Sequence, residues 1–255
     1  MMRKTAIITG AAKGIGREIA KKFAYEDYNV LINYRTSEKE ANKIKEELIK
    51  EGCNVEIFKA DVTKREEVDE MIEFCLLKFG SVDVIVNNAG ICEYKLFIDI
   101  KEDDLRKMFE VTLLGAFNLI QSALKKYMLK NQKGCIINIS SIWGVTGASV
   151  ESNYSTMKAG LNGMTKALAK ELGPSNIRVN AITPGIIDTE MNDHLSLEEK
   201  QSFVNDLPIE KMGSVSDVAN LAVFLASEKA SYITGAIIPV DGGATIWFCI
   251  LPILT

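Results

Sequence analysis

Short apolar runs alternate along the chain with longer segments in which apolar residues recur every three or four positions. The short runs predict buried strands, and the wider spacing predicts amphipathic helices. The predicted strands are Lys4–Thr9, Val30–Tyr34, Val55–Ala60, Val82–Asn87, Cys135–Ile139, Val179–Ile182 and Ile237–Val240. The predicted helices are Ile15–Ala24, Glu38–Glu51, Arg65–Phe79, Asp103 to about Lys130, Asn153–Leu172 and Val215–Ser227. This alternation predicts an α/β fold: a single doubly wound, mostly parallel sheet with helices on both faces.

The alternation also bears on domain organisation. No linker rich in proline, glycine or serine interrupts it, so we expect residues 1–255 to form one domain. The section from Pro184 to about Ser214 shows no regular pattern, and we expect a substrate lid around residues 186–214. The tail, residues 244–255, is strongly apolar. We expect it to pack on its own domain or on a partner subunit, with attachment to a membrane surface as the alternative.

Composition excludes several classes of protein. With 47% hydrophobic and 25% charged residues, the chain is typical of globular proteins. A net charge of −4 argues against nucleic-acid binding, and no apolar run is long enough to span a membrane. The five cysteines form no CxxC pair, which favours a reduced, cytoplasmic protein. Because the chain has one histidine, His194, we expect neither a histidine-based metal site nor a Ser/His/Asp triad.

A glycine-rich turn, Thr9–Gly16, lies between the first predicted strand and the first predicted helix and reads TGAAKGIG. Glycines allow a tight turn and a close approach to phosphate, and the following helix N-terminus favours an anion. The sequence therefore predicts a dinucleotide-binding turn. Its candidate cofactor-binding residues are Gly10, Ala12, Lys13, Gly14, Ile15 and Gly16.

The end of the second predicted strand indicates which dinucleotide binds. Sites that prefer NAD place an acidic residue there to hold the ribose 2′-hydroxyl. Here the chain reads Asn33-Tyr34-Arg35-Thr36-Ser37, without an acid. Arg35 can meet a 2′-phosphate, and Lys13 adds a second positive charge. We therefore expect NADP (NADPH) as the cofactor.

Reactive side chains follow the later strands. Ser141 comes after the fifth strand, and Tyr154 and Lys158 are four residues apart on the next helix, so they share a face. A free tyrosine has a pKa near 10, and a neighbouring ammonium lowers that pKa. We expect Ser141, Tyr154 and Lys158 to act together on a carbonyl oxygen during hydride transfer.

These motifs together resemble the short-chain dehydrogenase/reductase family. TGAAKGIG, Asp61-Val62, the sequence NNAG at Asn87–Gly90, Ser141, the Tyr154–Lys158 segment YSTMK and Pro184-Gly185 occur in the family's order and spacing. The resemblance covers residue 4 to about residue 243, and the most similar branch reduces 3-oxoacyl thioesters carried on acyl carrier protein.

The resemblance implies a role for each matching residue. Tyr154 is the proton donor and acceptor, Lys158 lowers its pKa and binds the nicotinamide ribose, and Ser141 holds the carbonyl oxygen. The further cofactor-binding residues that it implies are Asp61, Val62, Asn88, Ala89, Gly90, Tyr154, Lys158, Pro184, Gly185, Ile187 and Thr189. It also implies a lid after Gly185 and a homotetramer.

One position departs from the family pattern. The family usually has an asparagine on the fourth helix that helps to hold a water molecule for proton relay. Here the stretch reads Val111-Thr112-Leu113. A threonine hydroxyl can bind water, but it lacks the paired donor and acceptor groups of an amide.

Three functions are compatible with these residues. The first is NADPH-dependent reduction of a 3-oxoacyl thioester on acyl carrier protein, with Lys125, Lys126, Lys130 and Lys133 available for docking the carrier. The second is dehydrogenation of a sugar, polyol, steroid or other secondary alcohol by the same residues. The third is a weakly catalytic cofactor-binding sensor or scaffold, which the departure at Thr112 favours.

Overall fold

A computed structural model describes residues 3–190 and 196–246. All seven strands in this part of the chain form one parallel sheet in the order β3-β2-β1-β4-β5-β6-β7. The strands are β1 Thr5–Ile8, β2 Asn29–Tyr34, β3 Val55–Lys59, β4 Val84–Asn87, β5 Gly134–Ile139, β6 Ile177–Pro184 and β7 Ile237–Val240. The predicted doubly wound, Rossmann-like α/β fold is confirmed.

Helices cover both faces of the sheet. They are α1 Gly14–Tyr25, α2 Glu38–Lys50, α3 Arg65–Phe79, α4 Glu102–Phe109, α5 Gly115–Ala123, α6 Leu129–Asn131, α7 Trp143–Thr146, α8 Ser152–Leu172, α9 Leu197–Asn205 and α10 Val215–Ala226. Apolar side chains of α1, α2 and α10 pack on one face, and those of α3, α5 and α8 pack on the other. None of the helices in the described ranges combines the length and apolar character needed to cross a bilayer.

The predicted long helix exists, but it is interrupted. Its three α-helical segments are joined by π-helical turns at Glu110–Leu114 and Leu124–Met128. Such turns insert extra residues and often lie at functional sites. The first turn carries Thr112, the position that departs from the family pattern.

The section predicted to be irregular is partly helical. Helix α9, Leu197–Asn205, lies within it and begins with a capping box between Ser196 and Glu199. The expectation of an irregular segment from Pro184 to Ser214 is therefore wrong for these nine residues. Residues 191–195, and residues 247–255 of the apolar tail, lie outside the described residues.

The topology determines where a ligand can bind. Strand β1 lies between β2 and β4, so the chain reverses its direction of travel across the sheet at β1. In open α/β sheets, ligands bind beyond the carboxyl ends of the strands at this switch point. The glycine-rich turn follows β1 and the NNAG segment follows β4, so both lie at that edge.

Candidate active site

Backbone and side-chain hydrogen bonds hold the glycine-rich turn against the end of β4. The Asn88 side-chain amide donates to the carbonyl oxygens of Thr9 at 2.9 Å and Gly10 at 3.2 Å. The backbone N–H groups of Asn88 and Ala89 donate to the Thr9 hydroxyl at 3.0 and 3.1 Å. The turn therefore has a fixed shape, and Gly10, with φ at +61°, occupies a conformation that favours glycine.

A cavity of about 720 Å³ opens beside this turn, at the N-terminus of α1. The first turn of α1 carries no acidic residue, so its positive dipole end is available to an anion. Thirteen of the predicted cofactor-binding residues line the cavity: Gly10, Ala12, Lys13, Gly14, Ile15, Gly16, Arg35, Asp61, Val62, Asn88, Ala89, Gly90 and Thr189. The structure thus brings together residues that follow β1, β2, β3 and β4.

The two predicted cations lie at this cavity beside carboxylates. Arg35 is half exposed, and its guanidinium lies 3.6 Å from an Asp61 carboxylate oxygen. The Lys13 ammonium lies 3.3 Å from both Glu40 and Glu190. Hydrogen bonds to these two carboxylates raise the pKa of Lys13, so its ammonium keeps its proton at neutral pH.

A second cavity of about 410 Å³ continues from the first and shares six lining residues with it: Ile15, Asn88, Gly90, Cys92, Tyr94 and Thr189. The remaining predicted site residues line this cavity: Ser141, Tyr154, Lys158, Pro184, Gly185 and Ile187. Every candidate site residue therefore lines one of two adjoining cavities, although their roles remain predictions.

The predicted catalytic side chains meet because α7 packs tightly against α8. A Cβ atom at Gly144 would lie 2.7 Å from the Lys158 carbonyl carbon, so the two backbones approach as only glycine permits. The Tyr154 hydroxyl hydrogen-bonds with Ser141. The Lys158 ammonium donates to the Ile139 carbonyl at 2.8 Å and lies 5.5 Å from the centre of the Tyr154 ring.

The pKa of Tyr154 shifts in the direction opposite to our expectation. Burial raises it, and negative neighbours add to the increase more than the hydrogen bond with Ser141 reduces it. Burial also lowers the pKa of Lys158 to about 8. The expected net lowering of the tyrosine pKa is therefore wrong, because desolvation of the phenol is the largest contribution to the shift.

The pKa of Lys158 predicts a pH dependence of stability. An unperturbed lysine has a pKa of 10.5 and Lys158 in the folded protein has a pKa of about 8, so the unfolded chain binds more protons between these values. The free energy of unfolding contributed by Lys158 therefore rises with pH in this window. We expect the free energy of unfolding of the wild type minus that of Lys158→Met to rise by about 2 kcal/mol from pH 7.5 to 9.5 in urea titrations. If this value stays constant or falls, the shifted pKa is contradicted.

Buried amides fix the strand ends beneath the site. Asn87 donates to Asn138 at 2.8 Å, and Asn138 donates to the Thr165 hydroxyl of α8 at 2.8 Å. These bonds tie β4, β5 and α8 together. Buried polar groups that are satisfied in this way rigidify the core.

Thr112 lies close to these strand ends. It is buried, and its hydroxyl has no hydrogen-bond partner among the described residues. With Asn87, Ala89 and Gly115, it lines a void of about 10 Å³.

Several residues of the second cavity were not predicted from the sequence. Cys92, Tyr94, Trp143, Glu151 and Phe203 line it as well. They lie in loops or in helices that were not predicted, and no motif marks them.

Comparison with known proteins identifies the protein family to which the chain belongs. A family model described as "Enoyl-(Acyl carrier protein) reductase" matches residues 10–245. The chain belongs to the short-chain dehydrogenase/reductase family, which confirms the resemblance seen in the sequence.

Two relatives and one solved structure show the similarity in more detail. The chain is 43% identical over 242 residues to the 3-oxoacyl-[acyl-carrier-protein] reductase FabG of Staphylococcus aureus strain Mu50, covering 95% of this chain and 98% of that protein. It is 39% identical over 245 residues to the enzyme of the same name from Thermotoga maritima, covering 95% and 98%. Among solved structures, a blue fluorescent protein from a metagenomic library in complex with NADPH superposes with a TM-score of 0.89, at 32% identity, covering 96% of this chain and 98% of the other.

Proposed function

We propose that this protein uses NADPH to reduce a 3-oxoacyl thioester, carried on acyl carrier protein, to the secondary alcohol. One observation carries the proposal: the hydrogen-bonded Ser141 and Tyr154 lie with Lys158 in a cavity that adjoins a dinucleotide-sized cleft. The names of the relatives support the substrate class, and the NADPH complex of the structural neighbour supports the cofactor.

The residues of the first cavity fit NADPH. The glycine-rich turn and the N-terminus of α1 would hold the pyrophosphate, and Arg35 and Lys13 would hold the 2′-phosphate. Asp61 and Val62 would border the adenine, and Asn88, Ala89 and Gly90 would border the adenosine ribose. Lys158 and Tyr154 would meet the nicotinamide ribose, and Pro184, Gly185, Ile187 and Thr189 would border the nicotinamide.

NADPH supplies a hydride to the carbonyl carbon when it is bound, and three side chains act on the carbonyl oxygen. Ser141 holds that oxygen by a hydrogen bond, which favours the charge that develops on it. Tyr154 donates its hydroxyl proton to the same oxygen. The Lys158 ammonium lies beside Gly90, with its nitrogen 3.6 Å from the position of a Cβ there, and stabilises the phenolate that remains.

The segment after Gly185 would complete the site as a substrate lid around residues 186–214. Phe203 and Leu207 from this segment line the second cavity and provide an apolar surface for an acyl chain. Residues 1–255 would form one domain that carries both cavities, the lid and the tail at 244–255.

Carrier docking would use lysines near the end of the long helix. Lys125, Lys130 and Lys133 are exposed there. Arg178 does not contribute, because its guanidinium turns inward to the carbonyl oxygens of Leu225 at 2.6 Å and Ile233 at 3.3 Å.

A homotetramer would cover apolar side chains on the long helix. Leu105, Phe109 and Phe117 are 44–45% exposed along α4 and α5. Apolar residues grouped on one surface mark contact sites between proteins. Light scattering would test this assembly, and a monomer mass would reject it.

Oxidation of NADPH, followed by its absorbance, tests the function. We expect turnover with acetoacetyl-N-acetylcysteamine, a small thioester, and faster turnover with an acetoacetyl carrier protein. Activity only with ketones or only with sugars, polyols and steroids would favour the second function. Cofactor binding without turnover of any of these compounds would favour a sensor or scaffold.

Arg35→Asp should change the cofactor preference. The variant loses charge-assisted hydrogen bonds to the 2′-phosphate, and its new carboxylate repels that group while it can accept from the 2′-hydroxyl of NADH. We expect the ratio of NADPH to NADH affinity to fall by about 30-fold, measured by fluorescence titration. Arg106→Asp, a substitution on exposed α4, serves as the control. An unchanged ratio in Arg35→Asp would contradict the role of Arg35.

A further inference from the structure

A buried carboxylate lies on the wall of the substrate cavity. Glu151 is 8% exposed and lines this cavity, three residues before Tyr154 at the start of α8. Acidic residues are rarely buried without a specific reason. Asp83, the other buried acid among the described residues, lies outside this cavity, where it accepts from Ser81 and Lys133.

Two neighbours continue this polar surface. The Cys92 thiol donates to Glu151 Oε2 at 3.2 Å, and the Tyr94 hydroxyl hydrogen-bonds with Cys92. Burial and the charge of Glu151 raise the pKa of Cys92 to about 12, so the thiol keeps its proton and remains a donor. We call Cys92, Tyr94 and Glu151 the polar wall, since all three line the cavity.

Other parts of the cavity differ in character. Ile142, Trp143, Phe203 and Leu207 supply apolar surface, while Asp206 adds a second carboxylate to the lining. An acyl chain needs only apolar surface, so the polar wall is suited to a polar part of the ligand. The charge of Glu151 also acts at the reacting centre, because it contributes to the raised pKa of Tyr154.

We propose that Glu151 determines substrate specificity by accepting a hydrogen bond from a donor near the reacting carbonyl and by repelling a carboxylate at that place. This inference rests on the proposed function and specifies its substrate class. A thioester on a pantetheine-type thiol arm carries an amide N–H two carbons from its sulfur. A free 3-oxo acid instead carries a carboxylate where the thioester would be.

Both effects act in the same direction. A hydrogen bond to a charged acceptor in a desolvated site favours the ligand that carries the donor. A second carboxylate beside Glu151 must either remain charged at a cost or take up a proton. Attraction for one substrate and repulsion of another together give more discrimination than either alone.

The test compares two substrates in the same enzyme preparation. Glu151→Gln keeps the shape of the side chain and an acceptor oxygen but removes the charge. We expect the ratio of kcat/KM for acetoacetyl-N-acetylcysteamine to kcat/KM for acetoacetate to fall by at least about 30-fold in this variant. The ratio does not depend on the fraction of folded enzyme, so a purely structural effect of the substitution would leave it unchanged.

Glu93→Gln is the matched control. Glu93 is close in sequence to the polar wall and pairs with Lys95 at 2.7 Å, but it does not line the cavity. We expect its ratio to equal that of the wild type. A Glu151→Gln ratio within threefold of wild type would overturn the inference alone, as would an equal fall in both variants. Failure of the wild type to oxidise NADPH with the thioester would overturn the proposed function, and this inference with it.

Discussion

Tyr154→Phe is expected to lose about a thousandfold in kcat for thioester reduction, within the range that general acid catalysis contributes. The substitution removes one hydroxyl, which is the proton donor to the carbonyl oxygen and the partner of Ser141. The ring remains and still fills its buried site between Met108 and Met157. Stopped-flow measurement of NADPH oxidation under single-turnover conditions would separate this loss in the chemical step from changes in product release.

The same variant should still bind NADPH, because the glycine-rich turn and Arg35 are unchanged and only the contact of the Tyr154 hydroxyl with the nicotinamide ribose is lost. Tyr232→Phe, at a fully exposed tyrosine outside both cavities, is the control and should retain wild-type kcat. A Tyr154→Phe enzyme that retained a tenth or more of wild-type kcat would assign the proton to another donor.

The sheet and its ligand-binding edge could be predicted because they depend on local patterns. Continuous apolar runs mark buried parallel strands, and the residues that follow such strands lie at one edge. These patterns alone are enough to place Asn88, Ser141 and Gly185 together at that edge. The predicted ends of β6 were less accurate. The strand was predicted as Val179–Ile182 but runs from Ile177 to Pro184, because its pairing with β5 and β7 includes polar residues such as Arg178 and Thr183.

Two features of the helices could not be predicted, because they depend on tertiary contacts or are only weakly marked in the sequence. Helix α9 has no buried residue, so it lacks the apolar stripe by which helices are recognised, and only the Ser196–Glu199 capping box marks its start. The π-helical turn Glu110–Leu114 lies within a helix whose periodicity is continuous in sequence. Directly after this turn the helix approaches Val62 closely, because a Cβ atom at Gly115 would lie 2.6 Å from Val62 Cγ2.

The electrostatic properties of the site were the hardest to predict from the sequence. The four-residue spacing of Tyr154 and Lys158 correctly placed them on one face, but the sign of the tyrosine pKa shift depends on how deeply both are buried. Glu151 was missed for a similar reason. It is buried at the cavity beside Cys92, from the loop after β4, and these two residues lie 59 positions apart in the sequence.

Gly16→Ala is expected to weaken NADPH binding by about 100-fold and to lower the free energy of unfolding by about 1–3 kcal/mol. A Cβ atom there would lie 2.4 Å from the Asn88 amide nitrogen and 2.7 Å from the Gly10 carbonyl oxygen. Either the turn or Asn88 must move, and Asn88 is the residue that holds the turn in shape. Isothermal titration with NADPH and urea unfolding would measure the two effects.

Gly163→Ala tests whether this loss comes from the site or from any added methyl group. Gly163 lies within α8, where a Cβ atom would meet nothing within 4 Å. Alanine is the better helix former by about 0.5–1 kcal/mol, so this variant should be slightly more stable and bind NADPH as the wild type does. If Gly16→Ala also bound NADPH normally, the close approach of α1 to Asn88 would not be what shapes the phosphate turn. A weakened affinity in Gly16→Ala alone would instead show that this glycine is required for the space it leaves, since its backbone is already helical and needs no special conformation.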